Sequence, residues 1–133
     1  MRAKLLLPSL VLISTACLKD PPTEPSTVNG TYTLRTVNGA PLPFAIPGDA
    51  DQTTILQAAI VLYQGGTYAE SGSRSMRTNG VVSVVPYTDA GAYQLQGTSV
   101  TLISGINSKA RLAQYRAGSM TIIEAGLTAV YAK

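Results

Sequence analysis

The feature that most constrains the fold is the pattern of short apolar runs that follows Asn29. These runs alternate in polarity or are rich in β-branched residues, and glycine-containing turns separate them. None keeps the 3.6-residue apolar period of an amphipathic helix. The domain is therefore predicted to be all-β. Residues 54–63 are the least certain strand, since their leucines and alanines also suit a buried helix, but a β-branched end and a following glycine turn favour a strand.

The runs predict strands at residues 30–37, 54–63, 67–71, 81–87, 92–96, 99–104, 110–115, 119–123 and 127–132. A turn at residues 89–91 separates two of them, and the longer loops are predicted at residues 39–53 and 72–80. Tight turns between successive strands favour antiparallel pairing of neighbours. Eight or nine such strands close most economically into a small up-and-down β-barrel, and a β-sandwich is the alternative.

The N-terminus has the organisation of a secretory leader. Arg2 and Lys4 precede an apolar run at residues 5–13, and small residues follow at positions 14–16. The apolar run is far shorter than the roughly 20 residues that a membrane-spanning helix needs. We therefore expect residues 1–16 to be a signal peptide.

The residues around Cys17 indicate a lipid anchor. Thr15, Ala16 and Cys17 resemble the lipobox of bacterial lipoproteins, and that resemblance implies acylation of Cys17 after the leader is removed. Leu18 and Lys19 lack an inner-membrane retention aspartate, which by the same resemblance implies the outer membrane. The alternative is an ordinary cleavage site that leaves Cys17 as a free thiol.

Domain organisation after the leader is simple. Residues 17–28 hold the cysteine and a proline-rich stretch, which is expected to act as an extended tether, and residues 29–133 form the barrel domain. The bare PxxP spacing at residues 22–25 is also typical of a ligand for another protein, but a spacer is the favoured interpretation.

Charge and residue types exclude several function classes. Once Arg2 and Lys4 are removed, eight basic residues face seven acidic ones, and the basic ones are dispersed, so we expect no nucleic-acid partner. The chain has no histidine, and Cys17 is its only cysteine, which excludes Ser-His-Asp and Cys-His catalysis and zinc sites built on those residues. We expect neither an enzyme nor a cofactor.

The acidic residues offer two weaker alternatives. Asp49 and Asp51 can contribute to a calcium site, and a carboxylate pair for glycoside hydrolysis can form if Glu70, Asp89 and Glu124 meet in space. Solvated loop and turn carboxylates are the favoured interpretation in both cases.

The start of the domain resembles a known family. The Gly30-Thr31-Tyr32 triplet and the following Val37-Asn38-Gly39 turn are similar to the opening of small lipocalin-like domains in bacterial lipoproteins, with tyrosine in place of the tryptophan of the Gly-x-Trp motif. This resemblance implies a barrel that holds a small apolar or amphipathic ligand in its interior or mouth.

Five residues are candidates for ligand contact. Tyr32, Tyr68 and Tyr93 each lie two positions after a glycine, and they either line a cavity or fill the barrel, with filling as the default. Arg74 and Arg77 can hold an anionic group, although solvated arginines are more common. The alternative function is a protein-interaction, structural or inhibitor module of the cell envelope that uses the two long loops.

Overall fold

The computed structural model describes residues 27–133. The predicted signal peptide, the lipidation site Cys17 and nearly all of the tether therefore lie outside the described residues. The hydrophobic core of the described part is formed by residues between Val28 and Tyr131.

Residues 27–133 form ten β-strands. They are β1 Gly30–Val37, β2 Ala40–Pro41, β3 Phe44–Ala45, β4 Thr54–Leu62, β5 Thr67–Thr78, β6 Val81–Gln96, β7 Ser99–Ser104, β8 Ala110–Arg116, β9 Ser119–Glu124 and β10 Leu127–Ala132. This part of the chain contains no helix that is long and apolar enough to cross a membrane.

Eight of the strands close into an antiparallel barrel. From β4 to β10 each strand pairs with the next, and β1 closes the sheet because it pairs with β10 on one side and with β4 on the other. Two further strands have only two residues each: β2 pairs with β1, and β3 pairs with β4. The prediction of an all-β fold with a small up-and-down barrel is confirmed, and the sandwich alternative is not the observed arrangement.

Two predicted boundaries are wrong, both in the hairpin of β5 and β6. Residues 81–87 and 92–96 belong to the single strand β6, and residues 72–78, predicted as loop, continue β5. The cause is that Gly72 and Gly91 are not turn residues. A Cβ on Gly91 would lie 2.0 Å from the carbonyl oxygen of Ile103, and one on Gly72 would lie 2.4 Å from the ring of Tyr87. These glycines allow close packing inside a continuous strand.

The barrel has two different ends. The turns at residues 63–66, 97–98 and 117–118 lie at one end, which we call the closed end, together with Val28 and Lys133. The opposite end, which we call the mouth, carries the turns at residues 38–39 and 125–126 and the loops at residues 46–53 and 105–109.

The closed end is packed solid. Tyr32, Val100 and Met120 are fully buried there, and the rings of Tyr32 and Tyr115 meet edge to face with centroids 6.3 Å apart. The hydroxyl of Tyr32 donates a hydrogen bond to the carbonyl of Val28, which ties the incoming chain to the barrel floor. This half of the interior is therefore occupied by the side chains of the protein itself.

Candidate functional site

A charged cluster occupies the interior on the mouth side. Glu70 on β5 and Asp89 on β6 are direct cross-strand partners, and Arg111 on β8 reaches them from across the barrel. Arg111 donates to the carboxylate of Glu70, and its Nη2 lies 3.8 Å from Oδ2 of Asp89. Glu70 is only 6% exposed, so the arginine neutralises a largely buried carboxylate.

Asp89 is held by hydrogen bonds from three sides. Its carboxylate accepts from the hydroxyl of Tyr68 at 2.7 Å, from the hydroxyl of Ser104 at 2.8 Å and from the backbone N–H of Ala90 at 2.9 Å. Burial by itself raises the pKa of Asp89, but these hydrogen bonds and the charge of Arg111 outweigh it, so the pKa lies below its usual value. Asp89 is therefore ionised at neutral pH.

Arg111 and Glu124 carry the network to the surface. Nη1 of Arg111 lies 3.9 Å from Oε2 of Glu124, and Glu124 also accepts a hydrogen bond from Lys109. Burial by itself lowers the pKa of Arg111, but its bond to Glu70 and the remaining partners outweigh burial and raise the pKa above the ordinary value. Among the described residues no buried side-chain nitrogen or oxygen lacks a hydrogen-bond partner, so the network is complete.

A cavity of about 380 Å³ opens at the mouth beside this cluster. One wall is apolar and the other is polar. The apolar wall comes mainly from β1, β4, β10 and the loop at residues 46–53, which we call the mouth loop. The lining consists of Leu34, Val37, Ile46, Ile55, Ile122, Ala125, Leu127, Ala129, Tyr131, Glu70, Arg74, Tyr87, Arg111 and Glu124. Apolar surface and buried charge therefore face each other across one space.

A second cavity of about 390 Å³ adjoins the first and opens to the side of the barrel. It lies where β6 parts from β7, because the pairing of these strands begins only at Gly91 and Ser104. The loop at residues 105–109 forms its other side. The two cavities share the lining residues Glu70, Arg74, Tyr87, Arg111 and Glu124. The charged cluster thus borders both an axial and a lateral opening.

The structure places the three predicted tyrosines away from the mouth cavity. Tyr32 and Tyr68 are fully buried, and burial raises the pKa of both. Tyr93 is half-buried, and its hydroxyl donates to Oδ1 of Asn29 at 2.6 Å. All three hydroxyls are bonded to protein atoms. Tyr32 and Tyr93 thus fill and brace the closed half, whereas Tyr68 supports the charged cluster through its bond to Asp89.

The two predicted arginines are separated from each other. Arg74 lines both mouth cavities, whereas Arg77 lines a hollow of about 510 Å³ between the β5–β6 hairpin and the mouth loop. Both lie on β5 and not in a loop, because this stretch of β5 pairs with β6 throughout its length. The backbone N–H of Arg77 also donates to the carbonyl of Asp51 at 2.8 Å, which ties the mouth loop to the strand.

The acidic loop residues serve local structure. Asp49 accepts a hydrogen bond from the backbone N–H of Thr53 at 2.8 Å, and this contact lowers the pKa of Asp49. Within residues 27–133 no group of three or more histidine, cysteine, aspartate or glutamate side chains is placed to hold a metal ion.

Arg111 is a functional candidate that sequence reasoning missed. The signal for Arg111 was its position two residues before Ala113 and four before Tyr115, because alternate residues of a strand share one face. An inward Ala113 and Tyr115 imply an inward Arg111 as well.

The chain matches no protein-family model, no curated protein and no solved structure.

Proposed function

We propose that the protein is an exported lipoprotein whose barrel binds a small amphipathic molecule at its mouth. The observation that carries the proposal is the cavity of about 380 Å³ in which an apolar wall faces an ion cluster. Its volume falls within the roughly 300–1,000 Å³ of ordinary small-molecule sites, which are mainly apolar with a few convergent polar groups. The proposal includes no chemical reaction.

The apolar wall suits a hydrocarbon segment. Leu34, Ile55 and Leu127 come from three different strands and line the same space. Removing apolar surface from water contributes about 25 cal/mol per Å², so a short chain laid against this wall gains useful affinity without any polar contact.

Arg74 is the side chain best placed to meet a polar head group. Within the described residues no carboxylate lies within 4.0 Å of its guanidinium, whereas Arg111 is already bonded to Glu70. A ligand head that accepts hydrogen bonds from Arg74 therefore breaks no existing ion pair. The planar guanidinium suits a carboxylate, a phosphate or another oxygen-rich group.

The position of the N-terminus adds an orientation to the proposal. The chain enters the barrel through Val28 at the closed end, opposite the mouth. An anchor at Cys17, joined by a proline-rich tether of at most about 30 Å, then leaves the mouth facing away from the bilayer. Metabolic labelling with a palmitate analogue tests the anchor, and label that persists in Cys17→Ser contradicts it.

Calorimetric titration tests the binding function. The probes are single-chain amphiphiles of equal length that carry a carboxylate, a phosphate, a hydroxyl or an amine, added to the purified protein. We expect at least one to bind, and Ile46→Asp to weaken that binding about tenfold or more because it places a charge on the apolar wall.

The matched control is Ile123→Asp. Ile123 is 70% exposed and neighbours Ile122 on β9, but it faces outwards. We expect this variant to bind as the wild type does. Failure of every probe to bind the wild-type protein, or equal loss of binding in both variants, would contradict the proposed site.

A further inference from the structure

The outer part of β6 is the longest strand edge left open within residues 27–133. This strand pairs with β5 along its whole length from Val81 to Ala92, but with β7 only from Gly91 onwards. The open edge lies on the far side of the hairpin from β5, and no strand of the described part of the chain covers it. Such an edge offers unpaired backbone donors and acceptors.

The backbone directions along β6 follow from two hydrogen bonds. The carbonyl of Ala90 accepts from Gly105 on the open side at 2.8 Å, and the N–H of Tyr93 donates to Gly66 on the β5 side at 2.7 Å. Because neighbouring residues in an antiparallel strand point to opposite sides, even-numbered residues face the open edge. Val82 and Val84 therefore present both an N–H and a C=O there.

Pro86 is the next residue in this row, and it has no N–H to donate. Proline is tolerated in a strand where its missing N–H faces an open edge, which agrees with the direction just derived. The stretch with complete pairing capacity is therefore limited to Val82, Ser83 and Val84.

The side chains along this open edge are uncharged, and most of them are apolar. Val81, Val82 and Val84 are 68%, 55% and 63% exposed, and residues 78–88 include no charged side chain. Edge strands are usually protected from pairing by charged residues, and this one lacks them.

We propose that two copies of this chain pair through β6, antiparallel and centred on Ser83. In this register Val82 of each copy lies opposite Val84 of the other, which makes two equivalent pairs. Each pair forms two backbone hydrogen bonds, so the contact has four in all. Centring the pair on Val84 also allows four bonds, but it places Val82 opposite Pro86 and leaves the carbonyl of Val82 without a donor. The symmetric register around Ser83 uses every available group of the two valines.

The edge itself indicates a second copy as the occupant. A segment that is symmetric about Ser83 and free of charge is complementary to itself, with no like-charge repulsion between the copies. A two-fold pair uses the same edge of each copy and therefore closes. The other edge of the hairpin is occupied by β4 as far as Ser75, and beyond it the N–H of Arg77 is bonded to the carbonyl of Asp51. The contact is small beside the roughly 1,200 Å² of stable interfaces, so the dimer is expected at high protein concentration.

Sedimentation velocity over a concentration series tests the dimer. The protein is the exported chain carrying Cys17→Ser. This substitution removes both the predicted acylation site and the only thiol of the chain. We expect the sedimentation coefficient to rise from the monomer towards the dimer, and Val84→Lys to abolish the rise. Leu112→Lys is the control, since Leu112 is 56% exposed on β8, and it should behave as the parent chain does.

Cysteine cross-linking tests the register. Ser83 lies on the two-fold axis in a non-hydrogen-bonded pair, where Cα atoms are about 4.5 Å apart and a disulfide fits. We expect Ser83→Cys to form covalent dimers under mild oxidation. Val81→Cys should not, because the two cysteines would be four residues apart along the pair, about 13 Å. A monomer at all concentrations, or equal cross-linking at both positions, would overturn the proposal.

Discussion

The two halves of the barrel are built from the same eight strands but have opposite chemistry. In the closed half the inward rows are Tyr32, Val100 and Met120, all fully buried and in mutual contact with the core. In the mouth half the inward rows carry Glu70, Arg111 and their partners beside open space. The densely packed part of the interior and the part that borders open space thus lie at opposite ends of the barrel axis.

This difference identifies the mouth half as the part of the barrel whose interior contributes less to stability. A buried ion pair contributes little net stability, since the desolvation of both charges offsets their attraction, and apolar packing of similar volume is often equal or better. The closed half shows that this chain can pack apolar side chains densely. The charged mouth therefore supports a role in binding better than a role in stability.

The largest expected effect comes from breaking the buried pair. Arg111→Met leaves Glu70 buried without its cation, and we expect the free energy of unfolding to fall by about 3–5 kcal/mol in denaturant titrations. The double variant Arg111→Met/Glu70→Leu should recover much of that loss, because the more buried carboxylate is removed together with its cation, and Asp89 keeps its hydrogen bonds from Tyr68, Ser104 and the Ala90 N–H. If Arg111→Met is as stable as the wild type, the mouth half contains no buried charge that depends on a partner, and the contrast between the two halves is contradicted.

A cavity in the closed half is expected to cost somewhat less and to leave binding alone. Met120→Ala should lower the free energy of unfolding by about 2–5 kcal/mol, because Met120 is fully buried in dense packing. Its affinity for any mouth ligand should match that of the wild type. Leu112→Ala, at an exposed position, is the stability control. A loss of affinity in Met120→Ala would show that the halves are coupled.

The smallest effects concern pH, and they should differ between the halves. The pKa of Asp89 is lowered in the fold, so its stabilising contribution is complete above its unfolded value near 3.9 and is lost as pH falls through the folded value. The pKa of Tyr32 is raised by burial, so its contribution is complete below about 10 and is lost as pH rises further.

Thermal unfolding followed across pH separates these contributions. Asp89→Asn should flatten the acid limb of the profile, and Tyr32→Phe should flatten the alkaline limb. An acid limb that is unchanged in Asp89→Asn would show that other carboxylates dominate acid unfolding.

Much of the barrel was predictable because its signals are local. The turns Ala117-Gly118 and Ala125-Gly126 adopt the positive φ angles that tight hairpins require, and the strands beside them were placed within one residue. Gly72 and Gly91 misled the prediction because a glycine needed for close packing looks the same as a turn glycine. The atoms that require it, in Tyr87 and Ile103, are more than ten residues away.

The candidate site was only partly predictable. Arg74 was named as a candidate for an anionic group, although a solvated arginine was favoured. Glu70, Asp89 and Glu124 were named as carboxylates that can meet, but solvated turn carboxylates were the favoured interpretation, which is wrong for Glu70 and Asp89. Their meeting depends on strand register, which places Glu70 opposite Asp89, and on barrel closure, which brings Arg111 within reach. No local pattern in the sequence reports either.

Mapping a bound amphiphile by ¹⁵N-resolved NMR tests the central claim most directly. The protein is titrated with the tightest-binding probe, and the backbone shifts of the two halves are compared. We predict changes at mouth residues such as Leu34, Ile55 and Leu127, with Val100 and Met120 unaffected. Shift changes centred on the closed half, or no changes at saturating probe, would contradict the claim that the ligand binds at the mouth and that the closed half is fully packed.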